Sequence, residues 1–116
     1  MIEKKDDKYY LSKVLEDINF IIDNTKDLTK EQFEKDKIVA GGLLFYLIQL
    51  TENTKQISDE FKKKNLTVPW NQIIGLRNRI VHDYGNVDVS VVYNTLIYDI
   101  PYLKNILEKI IEKKNT

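Results

Sequence analysis

Apolar residues recur at helical spacing along nearly the whole chain. Leu11, Val14, Leu15, Ile18, Ile21 and Ile22 follow three- and four-residue steps, which stacks them on one helix face and leaves Lys13, Asp17 and Asp23 on the surface. Thr29-Lys30-Glu31-Gln32 reads as a capping box, so a second helix or helical turn starts near Lys30. A long helix is predicted from about Asp36 to Lys64, apolar nearly all round through Leu43–Leu50 and polar after Thr51. Such a stretch belongs at the centre of a bundle or against a second subunit. Val68-Pro69-Trp70 opens the next helix, with Pro69 near the first position, where its missing N–H costs little. That helix runs through Ile73, Ile74, Leu76, Ile80 and Val81, and Gly85 is its stop. Asp88 caps a last helix with apolar positions at Val89, Val92, Leu96, Ile100, Leu103, Leu107 and Ile110, which Pro101 kinks or divides. No segment alternates as a strand does. The expected fold is all-α: a single domain over residues 1–116, a bundle of four to five helices with a kinked last helix.

Composition narrows the function. A chain of 116 residues buries roughly 65% of its unfolded surface in one modest core. Its longest apolar stretch, Ala40 to Leu50, is about half of what a membrane span needs. The opening Met1–Asp7 is charged and unlike a signal peptide, so a cytoplasmic protein without membrane contact is expected. The absence of cysteine excludes disulfides, thiol catalysis and cysteine-held zinc, and a single histidine argues against a protein-only transition-metal site. Neither metal nor cofactor is expected. Net charge is zero, so any attraction to nucleic acid has to be local.

The cations are not evenly distributed in kind. Of 18 cationic side chains only Arg77 and Arg79 are arginine, and both lie within six residues of the single histidine, His82. Arginine's planar fork matches phosphate oxygens as a lysine ammonium cannot. On a helix Asn78 and His82 are neighbours at i and i+4, so the amide can orient the imidazole, and Arg77 returns to nearly the azimuth of Tyr84. Arg77 and His82 stand about 140° apart and flank a groove that takes a phosphate if another element or a second subunit closes it. The chemistry this suggests is phosphodiester cleavage in RNA, with His82 moving a proton and Arg77 neutralising charge that builds on phosphorus. In-line cleavage wants an acid and a base. One histidine per chain therefore predicts a twofold composite site in a homodimer.

Between Phe61 and His82 there is no acidic residue, while Lys62, Lys63, Lys64, Arg77 and Arg79 make a local basic patch for RNA, with Trp70 and Tyr84 able to stack. Plainer readings stand beside these. Lys62–Lys64 also suits a solvated last turn answering a helix dipole, and Trp70 a core anchor. Tyr9, Tyr10, Tyr46, Tyr93, Tyr98 and Tyr102 read as half-buried packing residues. Glu52 is either a boundary residue of the long helix or a carboxylate facing the Arg/His groove, and spacing leaves both open.

Arg77-x4-His82-x-Tyr84 resembles the R-x4-H-x-Y signature of the HepT-like toxins, within the HEPN superfamily of helical nucleases. The stretch from Val68-Pro69-Trp70 through Ile73-Ile74-Gly75-Leu76-Arg77-Asn78-Arg79 to His82 is similar to that family's central helix. Ile48–Glu52 resembles the family's glutamate-bearing helix, and Asp99-Ile100-Pro101-Tyr102-Leu103 its D-[LI]-P-x-L stretch. Val68, where the family often has isoleucine, and Gly41-Gly42, in place of bulkier residues, depart from it. The resemblance implies a metal-independent RNase, the toxin of a type VII toxin–antitoxin pair, with Arg77 and His82 as catalytic pair and Asn78 accompanying the arginine. It implies homodimers whose motifs meet at the interface. The partner it implies is a minimal nucleotidyltransferase antitoxin that moves AMP from ATP to Tyr84 and silences the toxin. Two other functions fit the same residues: a non-catalytic module holding a nucleotide or a nucleotidyltransferase, and a structural dimer knitted by the polar motif.

Overall fold

A computed structural model describes residues 5–82 and 88–114. All regular structure among them is helical. The elements are α1 (Asp7–Thr25), α2 (Lys30–Lys35), α3 (Lys37–Lys55), α4 (Asp59–Lys64), α5 (Trp70–His82), α6 (Val89–Asn94), a π-helical segment (Thr95–Asp99) and α7 (Ile100–Lys114). The four long members, α1, α3, α5 and α7, are the predicted bundle, and the six-residue α2, α4 and α6 are additions around it. Among the described residues no helix is long and apolar enough to cross a membrane.

The caps form where the sequence places them. Thr29 Oγ1 accepts from the Gln32 N–H at 3.1 Å while Gln32 Oε1 accepts from the Thr29 N–H at 2.9 Å, a complete capping box. Asp6 opens α1 by accepting from the Tyr9 N–H, and Asp88 opens α6 by accepting from the Ser90 N–H. Asp36 caps α3 with bonds from the Ile38 and Val39 N–H groups.

The core sits between α1 and α3, closed by α5 on one flank and by α7 with its π-helical segment on another. Ile18, Ile21, Leu43, Leu47, Leu50, Leu96 and Leu107 are all sealed from solvent. Each such side chain contributes about 1.5–3 kcal/mol over its exposed state. Trp70, as predicted, is an anchor: it is buried, packs edge-on against Phe61, and donates from Nε1 to the Asn65 carbonyl at 3.0 Å.

Four expectations are corrected. The helix predicted from Asp36 to Lys64 is broken, because Ile57 turns into the core and Ser58 starts a new helix. Asp7 at the start of α1 holds that break, accepting from the Ser58 N–H at 2.8 Å and the Ser58 hydroxyl at 2.7 Å. Ser58-Asp59-Glu60, a cap followed by an acidic first turn, was the available signal. Asp17, expected outside, is buried between α1 and α3, where it accepts from Asn53 Nδ2 at 3.0 Å. Burial holds its carboxyl above the usual carboxylate range, against the lowering effect of that hydrogen bond. Val89 is exposed and not part of the last helix's core face. Tyr98 and Tyr102 stand well out in solvent instead of half-buried.

The break at Pro101 takes the form of the π turn. Proline has no N–H for the carbonyl of Ile97, and its ring crowds that carbonyl. The ladder widens just before it, with the Ile100 N–H bonding to the carbonyl of Thr95, five residues back. The buried positions Val92, Leu96 and Ile100 are spaced by four and then four, a step that overshoots two α-helical turns by about 80°. The wider turn absorbs the overshoot, so a continuous buried face survives the kink.

Candidate active site

Helix α5 is clamped by its apolar side. Trp70 and Ile80 are buried and Ile73 and Leu76 half-buried, which leaves Asn78, Arg79 and His82 pointing outward and Arg77 on the boundary with α3. There Arg77 meets Glu52. Arg77 Nε lies 2.9 Å from Glu52 Oε1, with the two side chains 41% and 46% exposed. Nε itself is shielded from solvent, yet its N–H is not aligned on the oxygen, so the contact is an ion pair without a well-formed hydrogen bond. Half-exposed pairs of this kind add little stability. What the contact does is hold the guanidinium against α3.

Arg77 Nη1 also reaches Asn78 Oδ1, at a long 3.4 Å. The amide thus turns toward the arginine, and the expected Asn78–His82 bond is absent. His82 sits in the last turn of α5, exposed, with no hydrogen-bond partner among the described residues. An imidazole so placed is open to solvent. Tyr84, the residue expected to carry AMP, and the predicted stop at Gly85 lie outside the described residues.

The lysines are elsewhere. Lys62, Lys63 and Lys64 form the last turn of α4, where Lys64 pairs with Glu60 at 3.0 Å and Lys62 Nζ approaches the Lys55 carbonyl at 3.5 Å. They adjoin the start of α5, and His82 lies about 18 Å further along that helix by its rise. Arg79 projects to the other flank of α5. It lines a cavity of about 590 Å³ between α5 and the π-helical segment with α7, together with Asp99 and Tyr102. Sequence reasoning missed both of those, because their helix face depends on the π turn. Among the described residues no three His, Asp or Glu side chains converge as a metal site would require.

The outer face of α3 leads to Glu52. Ile38, Phe45 and Glu52 are seven apart and share an azimuth. Ile38 is 88% and Phe45 59% exposed, with Gly41 and Gly42 open to solvent between them. This is an apolar stripe that ends at the Arg77 ion pair.

Comparison with known proteins identifies the family. Residues 14–110 match the family model described as Ribonuclease HepT-like. A protein named "Probable ribonuclease HepT" from Thermococcus cleftensis is 33% identical over 107 residues, covering 92% of this chain and 97% of its own. A candidate RNase from Caldanaerobacter subterraneus subsp. tengcongensis is 30% identical over 105 residues, covering 90% and 94%. Another from Methanocaldococcus jannaschii is 30% identical over 107 residues, covering 92% and 98%. No solved structure matches. With five-sixths of its length inside the family model and relatives matched nearly end to end, the chain belongs to the HepT-like ribonuclease family.

Proposed function

We propose that this protein is a ribonuclease that cleaves RNA phosphodiesters without a metal, at a site shared by the two copies of a homodimer. The observation that carries the reading is Arg77 held by Glu52 at the edge of α5, with the free imidazole of His82 on the outward side of the same helix. A phosphate entering between them meets a fixed positive charge on one side and a proton-transfer group on the other. Asn78, bonded to the guanidinium, helps hold it. A second copy supplies the second histidine, so that one imidazole takes the 2′-hydroxyl proton and the other protonates the leaving oxygen. Attack by that hydroxyl on phosphorus expels the 5′-oxygen and leaves a 2′,3′-cyclic phosphate. The apolar stripe of Ile38 and Phe45 on α3 suits the seat of that second copy. Arg79 extends the RNA contact, and Lys62–Lys64 act at most as a distant foothold.

Regulation follows the motif. Tyr84 is the acceptor for AMP from an ATP-using nucleotidyltransferase antitoxin, and the added phosphate puts bulk and negative charge where RNA must enter. The protein is then the toxin of that pair. The test is cleavage of a mixed-sequence RNA in EDTA by wild type, Arg77→Ala and His82→Ala. Wild type is expected to leave 2′,3′-cyclic ends and both variants to lose at least 100-fold in rate, in the usual range for such groups. Undiminished cleavage by folded His82→Ala would refute it.

A further inference from the structure

Asp99-Ile100-Pro101-Tyr102 has no part in the chemistry above, yet the π turn swings it against one wall of the 590 Å³ cavity beside α5. The volume is that of an ordinary small-ligand site. Its floor is apolar, from Leu50, Leu76 and Ile100. Its polar lining comes from Gln72 and Arg79 on α5, Thr95 and Asp99 on the π-helical segment, and the 66% exposed Tyr102 on α7. Among the described residues neither Arg79 nor Asp99 is engaged in an ion pair or a side-chain hydrogen bond.

We infer that this cavity receives a guanine base of the substrate RNA, next to the cleaved phosphate, and sets where the chain is cut. The inference rests on the ribonuclease reading and adds its specificity. Around α5, Arg77, Asn78, His82 and Arg79 follow one another at about 0°, 100°, 140° and 200°. A strand crossing the outward face therefore passes from the catalytic pair to the cavity mouth. His82 and Arg79 are three residues apart, with about 5–6 Å between their Cβ atoms, close to one nucleotide's step.

The donor and acceptor set selects the base. A carboxylate accepts, and guanine offers it two adjacent donors, N1–H and the 2-amino group, where adenine and cytosine offer a single amino group. On the neighbouring edge guanine presents O6 and N7, the acceptors arginine fits best. Asp99 and Arg79 take these two edges, Tyr102 supplies a stacking face, and the aliphatic floor covers the other face of the base.

Two measurements on the full chain test this. The first is titration of wild type and Asp99→Asn with guanosine 3′-monophosphate, following methyl resonances of Leu50, Leu76 and Ile100, with adenosine 3′-monophosphate as the comparison. The second maps cleavage positions in a mixed-sequence RNA for wild type, Asp99→Asn and Tyr102→Ala. Guanosine should shift the cavity methyls, bind about 10-fold tighter than adenosine, and lose that margin in Asp99→Asn. Wild type should cut beside guanine, and both variants should cut more evenly. Cleavage with no guanine bias, or with the same bias in folded Asp99→Asn, overturns the cavity's role and leaves the ribonuclease intact. Guanosine binding that Asp99→Asn abolishes, in a protein that cuts no RNA, keeps the base site and refutes the ribonuclease. No shift of the cavity methyls by either nucleotide overturns the base site outright.

Discussion

Glu52 gives Arg77 a direction at the cost of part of its charge. Because both groups are about half in water, the pair contributes under about 1 kcal/mol to folding. Glu52→Gln is therefore expected to leave the thermal midpoint nearly unchanged while cleavage falls roughly 10-fold through a misplaced guanidinium. Unaltered kinetics in that variant would show the carboxylate to be a bystander. Asp17 acts on stability instead. Its carboxyl is raised by burial, so the folded state binds a proton more readily than the unfolded chain does. Its contribution is most favourable below the unfolded carboxylate value and is lost as pH rises through the folded one. Asp17→Asn should accordingly raise the urea midpoint at pH 7.5 and show no gain near pH 4. Equal shifts at both values would contradict that sign. The sequence singled out Arg77 and His82 through their rarity and spacing, and both lie on α5. It could not disclose Asp17's burial, because an aspartate at the edge of an apolar stripe looks like a surface residue until Asn53, 36 positions away, is seen to meet it.

At the scale of elements, helix faces were legible and helix ends only partly. The stripes of α1 and α5, the capping box at Thr29 and the cap at Asp88 follow from local chemistry that the chain carries with it. The break at 56–58 depends on Asp7, a partner remote in sequence, and periodicity carried the predicted helix through it. Pro101 announced a kink without its form. Which face Asp99 and Tyr102 occupy turns on an extra residue per turn that no α-helical wheel contains. Trp70 makes a complementary case, since one indole fixes the azimuth of the helix that bears the motif. Trp70→Ala should cost about 3–5 kcal/mol, whereas Trp70→Phe, which keeps the ring and loses the bond to Asn65, should cost less than half of that. Chemical denaturation of both variants checks the ratio.

For the whole molecule, net charge is zero, so the proposed reading confines phosphate attraction to the α5 site. On the proposed reading, the outer stripe of α3 seats the second copy. Phe45→Glu should leave a folded monomer, visible by light scattering, with cleavage lost along with the dimer. Mixing provides a sharper check. If both histidines serve one site, an equal mixture of wild-type and His82→Ala chains, after exchange, should keep about a quarter of the activity, as independent pairing into twofold dimers demands. A half-activity result would place a complete site in each chain.

The bond from Ser58 to Asp7 spans 51 residues and ties the start of α1 to the turn before α4. During synthesis the carboxylate of Asp7 is made 51 residues before Ser58. The clamp can close only after α3 has been laid down between them. Shortening the protein by its first seven residues would thus do more than fray one end. It would release the turn before α4, and with it the segment that feeds Trp70 into place, so that damage at Asp7 would be felt at α5.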